Sequence, residues 1–397
     1  MNNMEMGKQL FDVTILKDFR EVINSSNVFS DVPEYKHFWN LVCVLMDRLD
    51  SAVHYLNNHS SQPETEEDFV IFLVFASILK DGVYKFHENI YGVKPKTVEE
   101  KKWFKNAHNY SKQLFDEDNC PTDDVFFEYL RSLSFAHPFE TSKRNGRTFM
   151  DDGETHCSPW VIAHSVFNYE KDSVGLRVYT NKDDELTDIF VSFNSLKNYL
   201  LERYLLLKEF IRWGRDEIVK QNKKWMETKV DRRGDSITIL NSICSIMESR
   251  FLNHYTIDEA IDILKSNFKL KQNQCSVAFV KNRINDVLQN ICDCVDKLDY
   301  EGMEESLNFL YERPKNLHNH AHYELEKIFD YLGDERGLCL RGSNEEWGLI
   351  QAKQFYNSYA KQFVTIDFET MSYKEIKILI RASLIIGTSK EENDNTN

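Results

Sequence analysis

The stretch YLRSLSFAHPFETSKRNGR, Tyr129 to Arg147, places an arginine and a histidine six positions apart on a short apolar segment. RNA is cut without metal when a histidine moves a proton at the 2′-hydroxyl or the leaving oxygen. A nearby guanidinium then stabilises the charge that develops on the phosphorane. Arg131 and His137 are residues of these two types. Six positions along a helix are roughly 9 Å of rise, too long for one tight pair. A two-fold dimer that sets two such pairs face to face removes the difficulty. Lys143, Arg144 and Arg147 follow at once and are suited to hold a phosphate backbone.

Other groupings are weaker. Arg313 and His318 form a second arginine-histidine pair, but Pro314 directly after the arginine suits a turn or a helix start. In HNHAHYELE, His318 and His322 are four apart with Glu326 one helical turn further, a spacing that can ligate a metal. No HExxH signature accompanies it, and the expectation is a polar helix start with no metal. His156 and Cys157 are adjacent and so do not aim at one reacting atom. Arg212, Arg215, Lys220, Lys223 and Lys224 alternate with Trp213 and Trp225, a pattern that either binds RNA or forms a solvated helix face. No phosphate-binding loop, dinucleotide fingerprint or nucleophile elbow occurs, so no cofactor is expected.

The elements that must carry these residues are mostly helical. Phe38, Leu41, Val42, Leu45, Leu49, Ala52, Val53 and Leu56 form one stripe of a long amphipathic helix. Phe69 to Phe86 has the all-round apolarity of a central bundle helix. TVEEKKWFKNAHNYSKQLF reads as a more polar helix, and PTDDVFFEYLRSLSFAHP as another, with Asp123 and Asp124 at its positive N-terminal end. After Pro138 the pattern changes. SPWVIAHSVF, VGLRVYT and ELTDIFVSF are rich in β-branched and aromatic residues and predict a small antiparallel sheet. From Ser195 to Trp225 a helical stripe returns. After the linker-like ETKVDRRGDS the chain is helical almost throughout, with helices beginning near Ser236, Ile257, Ala278, Met303, Tyr323, Glu345 and Tyr373. The expected fold class is mainly α, divided as 1–150 helical bundle, 151–230 small sheet followed by a long helix, 231–388 helical region and 389–397 disordered acidic tail.

The net charge of -15 repels nucleic acid at long range, so RNA binding requires locally concentrated positive charge. The 8 cysteines are scattered without a CxxC pair and read as small buried hydrophobes in a reducing cytosol. The longest apolar run, FVIFLVFASIL, falls short of the roughly 20 residues that span a bilayer. The polar N-terminus shows no signal peptide. The expectation is a soluble cytoplasmic protein without membrane contact.

A helical bundle that carries RSLSFAH on a late helix resembles the HEPN superfamily, whose motif is an arginine followed by a few residues and a histidine. Arg131 and His137 match its two functional positions. Ser132 takes the polar position after the arginine, where the family more often has Asn, Asp or His. The resemblance covers residues 1–150. It implies a homodimeric, metal-independent endoribonuclease acting on RNA in bacterial toxin or antiviral defence. The remaining sheet and helices would then be regulatory. The rival expectation is a non-catalytic interaction protein whose Arg131 and His137 are structural.

Overall fold

The computed structural model describes residues 9–105, 120–143, 147–159, 161–162, 172–182, 187–333 and 345–396. It is mainly helical, with a small antiparallel sheet set between helical regions. The chain divides into two compact units, Met1–Val219 and Lys220–Asn397. Among the described residues no helix is long and apolar enough to cross a membrane.

The first unit opens with α1 (Val13–Asn24), capped by Asp12, whose carboxylate accepts from the Thr14 N–H. Two single-turn helices lead to α2 (Trp39–Asn58), the helix expected from the Phe38–Leu56 stripe. Next comes α3 (Glu66–Tyr91), which starts in a capping box of Thr65 and Asp68 and ends at Gly92 in the left-handed region, φ 71°. Phe69, Phe72, Leu73, Ala76, Leu79, Val83 and Phe86 on α3 are buried. A β-carbon on Gly82 would come within 2.9 Å of the Leu45 side chain, so glycine lets α3 lie close against α2. The polar helix expected after Thr97 is not α-helical where it is described. Lys96–Glu99 form a 3-10 turn, and 106–119 lie outside the described residues.

Helix α4 (Asp123–Arg131) begins at the Thr122 cap and passes directly into a π-helical turn, Ser132–Ala136. The sheet follows: β1 (Thr141–Ser142), β2 (Thr155–Cys157), β3 (Val161–Ile162), β4 (Ser173–Thr180) and β5 (Thr187–Ser192). Its path is β1-β2-β4-β3, with β5 also paired to β4, and every pairing is antiparallel. Gly175 is required on β4, because a β-carbon there would meet the Ile189 carbonyl oxygen at 1.9 Å. Two further helices complete this stretch, α5 (Phe193–Tyr204) and α6 (Leu207–Glu227).

Beside the expected divisions at 150 and 230, the structure sets a boundary at Val219/Lys220 and keeps sheet, α5 and bundle in one unit. A buried ion pair ties α5 to the bundle. Arg203 near the end of α5 is fully buried and donates to Asp124 on α4 at 2.9 Å, where Tyr199 also donates at 2.7 Å. The carboxylates Asp123 and Asp124, expected to serve the helix end, reach further. Asp123 accepts from the backbone N–H groups of Lys102, Trp103 and Phe104.

The second unit contains α7 (Ser236–Ser249), α8 (Tyr255–Lys265), α9 (Lys271–Lys297), α10 (Tyr300–Leu307), α11 (Ala321–Tyr331), α12 (Glu345–Ser358) and α13 (Tyr373–Thr396). These helices share one apolar core. Buried Arg250 ties three carbonyls, those of Val295, Trp225 and Thr228. The tail expected to be disordered instead prolongs α13 to Thr396. Glu391 accepts from the backbone N–H groups of Lys315 and Asn316, which anchors the helix beyond its apolar stripe.

Candidate functional site

The site begins with two charged residues on α4. Glu128 and Arg131 are one turn apart on the helix, and the guanidinium donates to the carboxylate at 2.8 Å. Lys80, buried on α3, reaches the same carboxylate and also contacts Asp81 at 3.1 Å. Burial pushes the Glu128 carboxyl up, but the adjacent Lys80 and Arg131 charges outweigh it and hold the group below its ordinary range. Glu128 thus shares its charge between two cations, Lys80 and Arg131. Arg131 Nε is buried and has no hydrogen-bond partner among the described residues.

These side chains line a cleft of about 590 Å³ between α3 and α4. Its walls carry Lys80, Lys85, Lys94, Arg131 and Arg147 against Asp81, Glu88, Asp124 and Glu128. Five basic groups face four carboxylates, so the cleft is locally positive on a chain whose net charge is -15.

His137 stands at the far end of the π turn. Its backbone N–H donates to the Ser132 carbonyl at 2.7 Å, the i to i+5 closure of a π turn. Pro138 follows and bars His137 from helical geometry, and its backbone lies at φ -145° and ψ 53°. The ring is exposed and makes no hydrogen bond to a described residue. Thr141 on β1 holds both ends of the turn. Its hydroxyl donates to the His137 carbonyl at 2.9 Å and accepts from the Ser132 hydroxyl at 2.9 Å. Ser132 is buried, so its side chain serves this clamp. Among the described residues, Phe139 is the most exposed of the large hydrophobic side chains, at 89%.

Beneath the site lies a buried polar chain. The Tyr129 hydroxyl meets His156 Nδ1 at 2.5 Å, and His156 Nε2 meets Glu154 at 3.0 Å. Burial pushes the His156 imidazolium pKa down, against the pull of Glu154. His156, read from its neighbour Cys157 as an unpromising nucleophile partner, is therefore a core residue that braces α4 against β2.

The expected RNA contacts divide. Lys143 is exposed and, among the described residues, its ammonium pairs with exposed Asp152 at 2.9 Å, so its charge lies at the surface. Arg144 lies outside the described residues. Arg147 is buried. It donates to the carbonyls of Ser142 at 2.9 Å and Glu128 at 3.4 Å, and its guanidinium lies over the Tyr129 ring. It ties Ser142 to α4 in place of projecting into solvent.

The histidine tract does not converge. His318 and His320 precede α11, so the i, i+4 helical spacing assumed for His318 and His322 does not arise. His318 Nε2 contacts Ser358 at 3.0 Å and Glu324 at 3.1 Å, while His322 faces the Arg313 guanidinium at 2.9 Å and Glu326 holds Lys327. A cation beside His322 opposes a metal there. Trp213, in the basic and aromatic segment, packs on Phe29 and Phe38, and Trp225 is buried, so neither ring is displayed as a stacking platform. The clamp residue Thr141 and the cleft residues Lys80 and Glu128 escaped the sequence reading: Lys80 meets Glu128 from 48 positions away, and the grip of Thr141 on Ser132 and His137 depends on the π turn.

Compared with known proteins, the chain matches no family model, no curated protein and no solved structure.

Proposed function

We propose that the chain is a metal-independent endoribonuclease of HEPN type, acting as a homodimer in the cytoplasm, with Arg131 and His137 forming one half-site. The observation that carries this reading is the placement of the pair. Arg131 lines a locally positive cleft, and His137 is exposed at the end of a π turn whose both ends are clamped. Single π turns inside helices occur frequently at functional sites. In the reaction, His137 moves a proton at the 2′-hydroxyl or the leaving oxygen, and Arg131 stabilises the phosphorane charge. Lys143 holds the backbone from the rim. Ser132 is a positioning residue that acts through Thr141. A role in toxin or antiviral defence is what the resemblance implies.

The test uses the purified full chain with total RNA in EDTA. Cleavage is expected to persist, and His137→Ala and Arg131→Ala are each expected to abolish it in folded protein. Cleavage retained by either variant removes the assignment.

A second reading has its own observations. The Arg131–Glu128 ion pair is what a structural arginine makes, and the bare Phe139 ring beside His137 suits a protein contact. Under that reading the chain is a non-catalytic interaction protein, no RNA is cut, and Phe139→Ala abolishes partner binding.

A further inference from the structure

Where α7 meets α8, three side chains able to ligate a metal come together. Cys244 lies on the buried side of α7, His254 immediately precedes α8, and Asp258 follows it one helical turn later. One ligand atom from each lies within 4.8 Å of the other two. The Cys244 sulfur is 3.9 Å from Asp258 Oδ1, and His254 Nδ1 is 3.0 Å from Asp258 Oδ2. Zinc bonds run about 2.0 Å to nitrogen or oxygen and about 2.3 Å to sulfur, which sets neighbouring ligand atoms of a tetrahedron roughly 3.3–3.5 Å apart. The separations of 3.9 Å and 3.0 Å fall either side of that interval.

The histidine distinguishes a ligand set from an ordinary ion pair. Its Nδ1 atom is buried and, although close to Asp258, is out of line for a hydrogen bond. Its Nε2 atom meets Glu248 Oε1 at 3.2 Å. A ligating histidine gives its second N–H to a carboxylate, which fixes the tautomer and turns the other lone pair toward the metal. Glu248 lies one turn after Cys244 on α7, so this helix supplies one ligand and the support of another. His254 and Asp258 are both 22% exposed, which leaves the cluster open to water on one side.

We propose that Cys244, His254 and Asp258 form a zinc site, with Glu248 as the positioning residue for His254 and water in the fourth position. A thiolate, an imidazole and a carboxylate suit zinc, whereas magnesium and calcium take oxygen ligands. On binding, the Cys244 thiol loses its proton to solvent and the thiolate bonds the metal. Three protein ligands with one water is the arrangement of catalytic zinc, in which the bound water is acidified. The site is independent of the Arg131/His137 reading.

The full chain, stripped with a chelator, is titrated with Co²⁺ and separately with Zn²⁺. One equivalent of Co²⁺ is expected to bind with thiolate-to-cobalt charge-transfer absorption, and Zn²⁺ is expected to raise the melting temperature. Cys244→Ser and His254→Ala, with helix content confirmed by circular dichroism, are expected to lose the absorption. Glu248→Gln is expected to keep it with affinity lowered about 10- to 100-fold. Cys275→Ser, at an exposed cysteine, is expected to leave binding unchanged. The proposal is overturned if no stoichiometric Co²⁺ binds, or if folded Cys244→Ser or the isosteric Asp258→Asn binds with the wild-type spectrum and affinity.

Discussion

The His137 N–H donates to the Ser132 carbonyl, five residues back, where an α-helix would have used Leu133. That single choice widens the turn between Arg131 and His137 and rotates His137 away from the position an α-helix assigns it. The choice is held by Thr141, whose hydroxyl grips Ser132 at one end and His137 at the other.

Thr141→Val keeps the side-chain shape and removes the clamp. Each lost hydrogen bond costs about 0.5–1.5 kcal/mol, so a loss of stability of roughly 1–3 kcal/mol is expected in urea unfolding. Cleavage by protein that remains folded is expected to fall about tenfold or more through misplacement of His137. Wild-type turnover in folded Thr141→Val would show that the turn does not position the histidine.

Glu128→Gln moves stability and RNA affinity in opposite directions. Buried Lys80 loses its main counter-charge and keeps only Asp81, so the fold weakens, by less than the roughly 3–5 kcal/mol typical of a fully broken buried pair. The cleft gains one net positive charge. RNA is expected to bind more tightly, with a salt slope steeper by about one. Weaker binding measured across salt concentrations would place the RNA path elsewhere.

Lys143 and Arg147, grouped together by sequence, separate in mutants. Lys143→Glu is expected to weaken RNA binding and flatten the salt slope while leaving the melting temperature nearly unchanged, and Lys390→Glu to do neither. Arg147→Ala is expected to lower stability by roughly 1–3 kcal/mol, because it strips hydrogen bonds from two carbonyls beneath the site. A melting temperature left unchanged by Arg147→Ala would contradict this division.

Acid weakens the brace under α4. Burial holds the His156 imidazolium pKa below its ordinary value of about 6.5 in the folded chain. Below about pH 6.5 the unfolded state therefore binds more protons than the native state, and stability falls. Its contribution is complete above that pH and is lost as pH drops toward the lowered folded value. His156→Gln is expected to flatten the stability-versus-pH curve in this window. An unchanged curve would assign the acid sensitivity to other groups.

Much of the frame was legible in the sequence because it rests on local periodicity. The Phe38–Leu56 stripe falls almost wholly in α2, and the helices starting at Ser236, Glu345 and Tyr373 begin at those residues. What was illegible depends on partners far along the chain. Asp124 reads as a helix-end charge until Arg203 arrives to bury it. Arg147 has the composition of a loop cation, and only its reach back to Glu128 makes it structural. The tail reads as frayed from its charge, yet Glu391 finds two backbone donors near Lys315. His254 and Asp258 are four apart, but Cys244 joins them only because α7 and α8 fold against each other.

The most direct test is cleavage of a defined RNA in EDTA, with the same oligonucleotide carrying a single 2′-deoxy substitution at the mapped cut site as its partner substrate. The account predicts that the all-RNA substrate is cut to a 2′,3′-cyclic phosphate, that the 2′-deoxy substrate resists, and that His137→Ala cuts neither. Cleavage that requires an added divalent metal, or equal cleavage of both substrates, would contradict it.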